Sequence, residues 1–537
     1  MQPTAETDPR ARTLFWVLLG LLTLGRLSLA GRFEFSTDEA HYVMYGRHPA
    51  WGYFDHPPLV GFLAAGGHWL GSSEFVMRLG PVLLGSLSLA FMGLLARDLY
   101  GWRVAILALA LAACVPILML LGLALLPDAP LNVFWCGALW AAWRATQRGG
   151  WGWWLLTGLL IGGAMLGKYH GVLLPAFLGL YLLASSTGRR WLARPQPYAA
   201  GVLALLVFLP NILWNAAHGW VSYAFQLGHG GGDGRLTPWN IFASLGGQLA
   251  AGTPILFVLV VAAAVLLIRR PAQEADRYVF WTSLPVFVFF CGIGLFGKVL
   301  PHWPAPGWWT GLIALAALLT RRLPEGGPGA RRWKRWTLAG VFLGLFSVVL
   351  LPVLLLAPVI SWSYLRLQPL SESWHARWPA IKPLKPFTPK VDLANDVVGW
   401  RVLAGEVEAL RRSMAEPERT FVMAGRFFAL SQTAAYLDPA ISVWATRPAV
   451  NQYTFWFDPP AHAGWDAIII EDSRDTRPGR GCEEFRPLFR FIEPDPRVVR
   501  VDRAGIPARQ ARLWIARGFK GVGPAGPMKL DAHTQRL

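Results

Sequence analysis

The chain reads Thr37-Asp38-Glu39-Ala40-His41-Tyr42 and, shortly afterwards, Gly52-Tyr53-Phe54-Asp55-His56-Pro57-Pro58-Leu59. These two stretches place carboxylates and histidines in a polar loop between two strongly apolar segments. Acidic side chains beside a bilayer are costly unless they face a cavity or a partner, so they are functional candidates. The adjacent Asp38 and Glu39 also offer a base together with a second group that could orient a substrate.

The composition predicts a membrane protein. The 537 residues are 54% hydrophobic and only 15% charged, with a mean hydropathy of +0.37. Such values argue against an ordinary soluble enzyme. Runs long enough to cross a hydrocarbon core of roughly 30 Å recur along the first two-thirds of the chain. We predict about eleven spans, at 13–31, 78–97, 104–126, 131–146, 152–168, 171–187, 198–217, 250–268, 278–297, 304–320 and 336–360.

The net charge of +18 comes largely from arginines in alternate loops between these apolar segments. Such a bias marks the cytoplasmic loops of a membrane protein and argues against nucleic-acid binding. The predicted topology has a cytoplasmic N-terminus and an external C-terminal region. It also gathers most acidic and histidine candidates at the external face, as expected of a reaction chamber on one side of the membrane.

The sequence predicts an all-α polytopic membrane bundle with a small α/β domain outside the cytoplasm. The bundle covers 1–360, and its first external loop, 32–77, is expected to hold helices in the interface plane. Proline-rich sequence predicts a linker at 361–395. An α/β domain is expected at 396–518, with strands at 420–424 and 467–470, a helix at 426–436 and two or three strands in 497–518. The tail 519–537 is expected to be disordered.

An ordered set of motifs resembles bacterial membrane glycosyltransferases of the protein-mannosyltransferase-like superfamily. These include the aminoarabinose lipid A transferases and the Rhizobium lipopolysaccharide transferases. The motifs are Asp38-Glu39-Ala40-x-Tyr42, Tyr53-Phe54-Asp55-His56-Pro57-Pro58-Leu59, Pro127-Asp128-Ala129-Pro130, Gly167-Lys168-Tyr169-His170-Gly171, Pro210-Asn211-x-x-Trp214-Asn215-x-x-His218 and His302-Trp303-x-Ala305-Pro306. The resemblance implies a GT-C fold, a bacterial inner-membrane location and inverting transfer from a polyprenyl-phosphate sugar donor. The acceptor would be lipid A, lipopolysaccharide, another envelope glycan or an exported protein.

Three carboxylates are candidate catalytic residues. The resemblance makes Asp38 the catalytic carboxylate and Asp128 the second acid. From the residue chemistry we interpret Asp38 as the base and Glu39 as a group that orients a hydroxyl or pairs with a cation. Structural roles stay open for each, because Asp38 and Asp128 could cap helices and Glu39 could pair with Arg32. A divalent metal bound through these three carboxylates is possible, although no cofactor is implied with certainty.

Substrate binding is expected from polar and aromatic side chains of the same motifs. We interpret Lys168 and His56 as a clamp for the donor phosphate, with Lys298 and His302 as a second pair. In the aminoarabinose transferases, a glutamate and a lysine occupy the places of Asp55 and His56, so a titratable contact replaces a permanently cationic one. The full predicted set is His41, Tyr42, Tyr53, Asp55, His56, Lys168, Tyr169, His170, Lys298 and His302.

Three alternatives remain at the level of the sequence. The protein could be a non-catalytic scaffold, with 361–537 as a partner-binding module. Lys168 could simply extend its ammonium from the end of an apolar span to the interface. The protein as a whole could be a transporter or flippase of lipid-linked sugars. That function would favour charges near the middle of the bilayer and paired broken helices in two halves. The predicted partners are the lipid-linked donor, a lipid or glycan acceptor and membrane lipids, and we expect a monomer.

Overall fold

The computed structural model describes residues 8–231, 236–447, 450–472 and 482–522. The chain forms two compact units, each built from two segments. The first unit comprises Met1–Ala30 and Pro49–Val349, and the second comprises Gly31–His48 and Leu350–Leu537. Of the predicted tail, 519–537, only residues 519–522 are among the described residues.

Helices dominate the described chain. In order they are α1 (Pro9–Leu29), α2 (Thr37–Arg47), α3 (Leu59–Leu70), α4 (Glu74–Tyr100), α5 (Trp102–Ala112), α6 (Pro116–Leu121), α7 (Asp128–Arg148), α8 (Trp151–Gly167), α9 (Leu173–Ala184), α10 (Ser186–Leu192), α11 (Gln196–Ala217), α12 (Val221–Gly231), α13 (Trp239–Gly252), α14 (Pro254–Arg269), α15 (Glu274–Trp281), α16 (Leu284–Ile293), α17 (Ala305–Arg322), α18 (Gly327–Leu356), α19 (Val359–Arg377), α20 (Trp400–Arg412), α21 (Phe427–Ala434) and α22 (Gln452–Trp456). Short 3₁₀ turns lie at Tyr169–Val172, Pro389–Val391, Leu393–Val397, Pro417–Arg419, Pro460–His462 and Glu483–Leu488.

All the predicted apolar segments overlap helices of the structure. Five of them are interrupted: 104–126 divides into α5 and α6, 171–187 into α9 and α10, 250–268 into α13 and α14, 278–297 into α15 and α16, and 336–360 into α18 and α19. The helices α6 and α16 each carry a proline in the first turn, Pro116 or Pro285, where a missing backbone N–H costs nothing. By length and composition, four described helices could cross a membrane, or up to six if each bent pair forms one span. The chain is a multi-pass membrane protein.

Close packing of α8 against α11 depends on glycine. A Cβ atom added at Gly158 would lie 2.3 Å from the carbonyl oxygen of Ala200, and one added at Gly162 would lie 2.9 Å from that of Ala204. The spacing of four residues puts both glycines on one face of α8. Small residues at this spacing let two helix backbones approach each other inside a bilayer, where dispersion contacts drive association.

The second unit contains a mixed five-stranded sheet. Its strands are β1 (Thr420–Arg426), β2 (Val443–Arg447), β3 (Asp466–Asp472), β4 (Phe489–Arg503) and β5 (Ile506–Phe519), in the order β2-β1-β3-β5-β4. β1 pairs in parallel with β2 and β3, whereas β5 is antiparallel to β3 and β4. The predicted strands at 420–424 and 467–470 and the predicted helix after β1 are confirmed.

Two features of the second unit differ from the sequence prediction. β2 was missed, because its five residues end in polar Thr446 and Arg447 and show no clear alternation. The segment 361–395, predicted as a linker, is helical over its first half, where α19 runs to Arg377. The prolines that suggested a linker mostly follow this helix, and Pro369 is accommodated inside it.

The helix α2 belongs to the second unit and is anchored to it by polar contacts. The Thr37 backbone N–H and hydroxyl donate to Asp396 at 3.0 and 2.8 Å. At the other end, the Arg47 guanidinium donates to the carbonyl oxygens of Ala435 and Leu437. Just before the helix, the Glu34 carboxylate accepts from the backbone N–H of Trp400 at 2.7 Å. The first part of the predicted external loop therefore packs with the C-terminal sequence.

The packing of α8 against α11 generates a stability prediction. Gly158→Ala should destabilise the full chain by about 1–3 kcal/mol, because the new methyl group meets a backbone carbonyl that cannot move aside cheaply. Gly152→Ala is the matched control on the same helix, since its Cβ would meet nothing within 4 Å. Thermal melting of both variants in detergent measures the difference. An equal melting temperature for both would contradict the packing argument.

Candidate functional site

A buried ion pair lies at one end of the first unit. The Lys168 ammonium donates to both carboxylate oxygens of Asp128, at 2.9 and 2.8 Å. The two side chains are only 7% and 3% exposed. Desolvating two charges is expensive, and the cost is recovered only when the geometry is good. Asp128 begins α7, where the positive end of the helix dipole also favours a carboxylate.

Two glycines make this pairing possible. A Cβ atom at Gly167 would lie 2.7 Å from the backbone nitrogen of Leu131, so a larger residue would push α7 away from the end of α8. A Cβ atom at Gly171 would lie 2.4 Å from the carbonyl carbon of Ala164. The motif Gly-Lys-Tyr-His-Gly is therefore a tight turn that folds back on α8. The extended backbone of Lys168 between helix and turn points its side chain at Asp128.

Three histidines surround the ion pair. His56, His170 and His302 interact electrostatically with both Lys168 and Asp128. They come from three separate segments of the chain: the loop before α3, the turn after α8 and the loop before α17. The ring of His170 packs edge-on against Phe290 and Trp303, each with a centroid separation of 5.2 Å. The buried Nδ1 atom of His170 has no hydrogen-bond partner among the described residues.

The loop that carries His56 is held by amide and hydroxyl side chains. The Asn211 side chain donates to the Trp51 carbonyl at 2.9 Å, and the Ser222 hydroxyl donates to the Tyr53 carbonyl at 2.6 Å. Gln226 donates to the Asp55 carbonyl, also at 2.6 Å. These contacts attach the loop to α11 and α12.

These holding residues were not predicted as site residues. Asn211 stands in the motif Pro210-Asn211-x-x-Trp214-Asn215-x-x-His218, and its amide side chain in an apolar helix was the available signal. Ser222 and Gln226 lie after the motif in an ordinary amphipathic segment, which gives no comparable signal. Tyr169, which was predicted, joins the same network through Asn215, whose amide lies 3.5 Å from the Tyr169 hydroxyl.

Burial keeps two of the histidines neutral in the absence of a bound anion. Desolvation, followed by the nearby Lys168 ammonium, lowers the pKa of His302 to about 4, although the Asp128 carboxylate opposes this shift. Desolvation also lowers the pKa of His56, although the neighbouring Asp55 carboxylate opposes this shift. The Nδ1–H of His56 donates to the backbone carbonyl of Asp55, so in the neutral ring the Nε2 atom carries the lone pair.

The predicted residues of the first unit thus fall into two groups. Asp128, Lys168, His56, His170 and His302 form one cluster, which we call the histidine-ringed ion pair. Asp55 lies next to it, 3.8 Å from the His56 ring. Tyr53 is fully buried, and its hydroxyl accepts from the Ala50 backbone N–H. Lys298 is exposed in the loop before α17 and makes no ion pair with a described residue.

The remaining predicted residues lie on α2 in the second unit. Asp38 is exposed in the first turn of the helix. Glu39 is buried and accepts from the Ser36 backbone N–H and hydroxyl, which completes a capping box. The His41 ring contacts Phe427 and Tyr45, and Tyr42 is buried beside it. Ser36, not Asp38, therefore caps the helix, and the catalytic and binding roles of these four residues stay predictions.

Known proteins share both the sequence pattern and the fold. Residues 55–214 match the family model of dolichyl-phosphate-mannose-protein mannosyltransferase. The lipid A galacturonosyltransferase RgtD of Rhizobium johnstonii is 25% identical over 304 residues, which is 55% of this chain and 62% of that relative. The crystal structure of ArnT from Cupriavidus metallidurans in the apo state superposes with a TM-score of 0.62 at 16% identity. That superposition covers 96% of this chain and all of ArnT.

The chain therefore has the fold of ArnT, which is the GT-C fold. A second ArnT structure, bound to undecaprenyl phosphate, superposes with a TM-score of 0.61 at 15% identity over 97% of this chain. The GT-C fold predicted from the motifs is therefore confirmed, and so is the small C-terminal sheet domain. The matched family segment contains Asp128, Lys168, His56 and His170, so most of the histidine-ringed ion pair falls inside it.

The site does not fit a divalent metal at Asp128. Both of its oxygens are occupied by the Lys168 ammonium, which would repel a cation. Across the described ranges, no group of three histidine, cysteine, aspartate or glutamate side chains is arranged to hold a metal ion.

Removing one partner of the ion pair should destabilise this GT-C protein strongly. Asp128→Asn or Lys168→Met alone should each cost about 3–5 kcal/mol, because an uncompensated charge stays buried. The double variant should recover most of that loss, since it buries no charge. Thermal melting of the full chain in detergent measures all three. Glu416→Gln, in an exposed ion pair with Arg419, is the control and should change stability by less than about 1 kcal/mol. Additive losses in the double variant would contradict the assignment.

Anion binding at the histidine-ringed ion pair should be coupled to proton uptake. A phosphate group raises the pKa of any histidine that it contacts, whereas His56 and His302 are neutral at pH 7 without it. Affinity should therefore increase as the pH falls, by at most about tenfold per pH unit for each proton taken up. Calorimetric titration of a short-chain polyprenyl phosphate at pH 6, 7 and 8 measures this dependence.

The ionisation of the ligand itself must be separated from that of the protein. His56→Lys supplies a fixed charge, so the variant should bind with a weaker pH dependence than the wild type. The phosphate titrates identically in both experiments and cancels in the comparison. Identical pH profiles for the two proteins would exclude His56 as the titrating contact.

Proposed function

We propose that this protein is an inverting glycosyltransferase of the bacterial inner membrane. It transfers a sugar from a polyprenyl-phosphate donor to an envelope acceptor at the periplasmic face. The acceptor is lipid A, another part of lipopolysaccharide, a different envelope glycan or an exported protein. The observation that carries the proposal is the histidine-ringed ion pair in the segment that matches the mannosyltransferase family.

The ion pair and its histidines suit the leaving group of this reaction. Polyprenyl phosphate leaves the anomeric carbon with a growing negative charge, which needs positive charge in a dry cavity. Lys168 supplies a compact ammonium, and Asp128 fixes its position before the substrate arrives. Protonated His56 and His302 would add charge and hydrogen bonds only when a phosphate is present. Because the histidines would gain their charge only together with the ligand, no unpaired cation has to be buried.

The reaction balances without a redox partner. The acceptor hydroxyl oxygen forms a bond to the anomeric carbon while the bond from that carbon to the phosphate oxygen breaks. The hydroxyl proton passes to a carboxylate base, and the electron pair of the broken bond stays on the polyprenyl phosphate. Attack from the face opposite the leaving group inverts the anomeric centre.

Asp38 is our candidate for the base. Its support is its place in the Asp38-Glu39-Ala40-x-Tyr42 motif and its exposure on α2, since a base must be reachable by an acceptor. Glu39 has the weaker case, because its carboxylate closes the capping box with Ser36. Asp128 is occupied by Lys168, which suits a positioning role better than proton transfer.

The relatives support the class of substrates. RgtD is described as a lipid A galacturonosyltransferase, and one ArnT structure contains undecaprenyl phosphate. The alignment spans less than two-thirds of RgtD, and the ArnT structures are under 25% identical to this chain. The sugar and the acceptor are therefore identified best by experiment, through mass spectrometry of envelope lipids and glycans from a deletion strain.

The base assignment makes a direct prediction. Asp38→Asn should fold and insert normally but lose transfer activity by about 10²–10⁴-fold, as expected when a general base is removed. Restoration of the missing envelope modification in the deletion strain, followed by mass spectrometry, measures activity in the membrane. Asp458→Asn, an exposed carboxylate of the second unit, is the matched control and should restore the modification fully.

Two results would separate the possible failures. Normal turnover by Asp38→Asn would reject Asp38 as the base while leaving the glycosyltransferase proposal intact. An unchanged envelope in the deletion strain under conditions that express the protein, together with no binding of polyprenyl phosphate, would reject the proposed function itself.

A further inference from the structure

A polar cavity lies in the first unit, away from the histidine-ringed ion pair. It has a volume of about 770 Å³ and lies among the C-terminal ends of α4, α7 and α17, the start of α5 and the loop before α15. Four arginines line it: Arg97, Arg144, Arg148 and Arg321. We call it the arginine cavity. Its volume is within the usual range for small-ligand sites, about 300–1,000 Å³.

The arginines are held in fixed positions. Arg144 donates to Asp98 at 2.6 Å, and its guanidinium lies 4.8 and 5.0 Å from the ring centres of Trp140 and Trp153. The Arg97 guanidinium donates to the same carboxylate. A guanidinium that stacks on an aromatic face and pairs with a carboxylate loses less entropy when it binds a further anion.

A second carboxylate fixes Arg321. The two guanidinium nitrogens donate to Asp276 at 2.9 and 2.7 Å, and the Tyr100 hydroxyl donates to the same carboxylate at 2.9 Å. Arg148 is exposed and makes no ion pair with a described residue. Four arginines against Asp98 and Asp276 therefore leave an excess of two positive charges around the cavity.

The position of the arginine cavity indicates where its ligand comes from. Asp128 starts α7 and Arg148 ends it, so the cavity is about 30 Å along this helix from the ion pair, at 1.5 Å per residue. That distance is close to the thickness of a hydrocarbon core. Trp140, Trp143 and Trp153 are on the helices beside the cavity, and tryptophan is enriched at headgroup depth.

A purely topological role does not account for this arrangement. Arginines that only fix orientation can point anywhere in the cytoplasmic headgroup layer, as the exposed Arg190 of α10 does. Here the arginines of three helices line one cavity, around which positive charge exceeds negative charge. Basic pockets of this kind between membrane helices bind the headgroups of anionic phospholipids.

We propose that the arginine cavity binds a phosphate-bearing anion, the headgroup of an anionic phospholipid in the leaflet opposite the histidine-ringed ion pair. The phosphate accepts hydrogen bonds from Arg148 and from the remaining N–H groups of the other three arginines that line the cavity. The site does not depend on the proposed glycosyltransferase activity. Bound lipid there would tie together the ends of α4, α7 and α17.

Native mass spectrometry of the full chain in neutral detergent tests this proposal. Cardiolipin and phosphatidylglycerol are titrated, with phosphatidylcholine as the zwitterionic comparison. Arg148→Gln should lower the affinity for the anionic lipids about fivefold, which is roughly the contribution of one basic side chain near a charged headgroup. Arg148→Glu should lower this affinity further. Neither substitution leaves a buried carboxylate unpaired, so both variants should fold.

A matched variant and a soluble ligand complete the test. Arg190→Gln removes an exposed arginine outside the cavity and should leave all affinities unchanged. Glycerol phosphate distinguishes a lipid headgroup from a free phosphate. If Arg148→Gln lowers the affinity for glycerol phosphate but not for the lipids, the cavity is an anion site whose ligand is soluble. Equal affinities of wild type, Arg148→Gln and Arg148→Glu for both the lipids and glycerol phosphate would overturn the proposal.

Discussion

The buried ion pair between Asp128 and Lys168 is the interaction on which the rest of the candidate site depends. Neither charge is tolerable alone in a dry interior, so the end of α8 and the start of α7 must stay together. The glycines on either side of the Lys168 turn allow that approach. The two charges also act on the pKa values of His56 and His302. A fixed ammonium next to neutral histidines can accept an anion without first breaking a strongly charged network.

The sequence identified several residues that the fold brings together, but not how they are arranged. Motif order identified Asp128, Lys168, His56, His170 and His302, which the fold brings together from distant positions. It could not show that Asp128 is paired instead of capping a helix, because that depends on how closely α7 and α8 approach each other. The apolar periodicity located the helices, but the breaks before Pro116 and Pro285 depend on tertiary packing, which a sliding window of hydropathy does not contain.

The first external loop was predicted as one segment of the membrane domain, and the structure divides it. Residues Gly31–His48 pack with the C-terminal sequence, whereas the segment from Pro49 onward packs with the bundle. Thr37 and Arg47 show why, since their partners Asp396 and Ala435 are hundreds of residues away in sequence. Such contacts leave no local pattern. They also mean that α2, with Asp38, is positioned by the C-terminal sequence of the second unit.

The helix α7 shows how one element can serve two different electrostatic tasks. Its N-terminus carries Asp128 and its last turn carries Arg144 and Arg148, so both ends agree with the helix dipole. The arginines agree at the same time with the topological bias of the predicted cytoplasmic loops. At the Asp128 end the charge is neutralised by Lys168, and the proposed anion binding is coupled to histidine protonation. At the arginine end an excess of positive charge remains permanently. One end therefore suits an anion whose binding depends on pH, and the other suits one that stays bound.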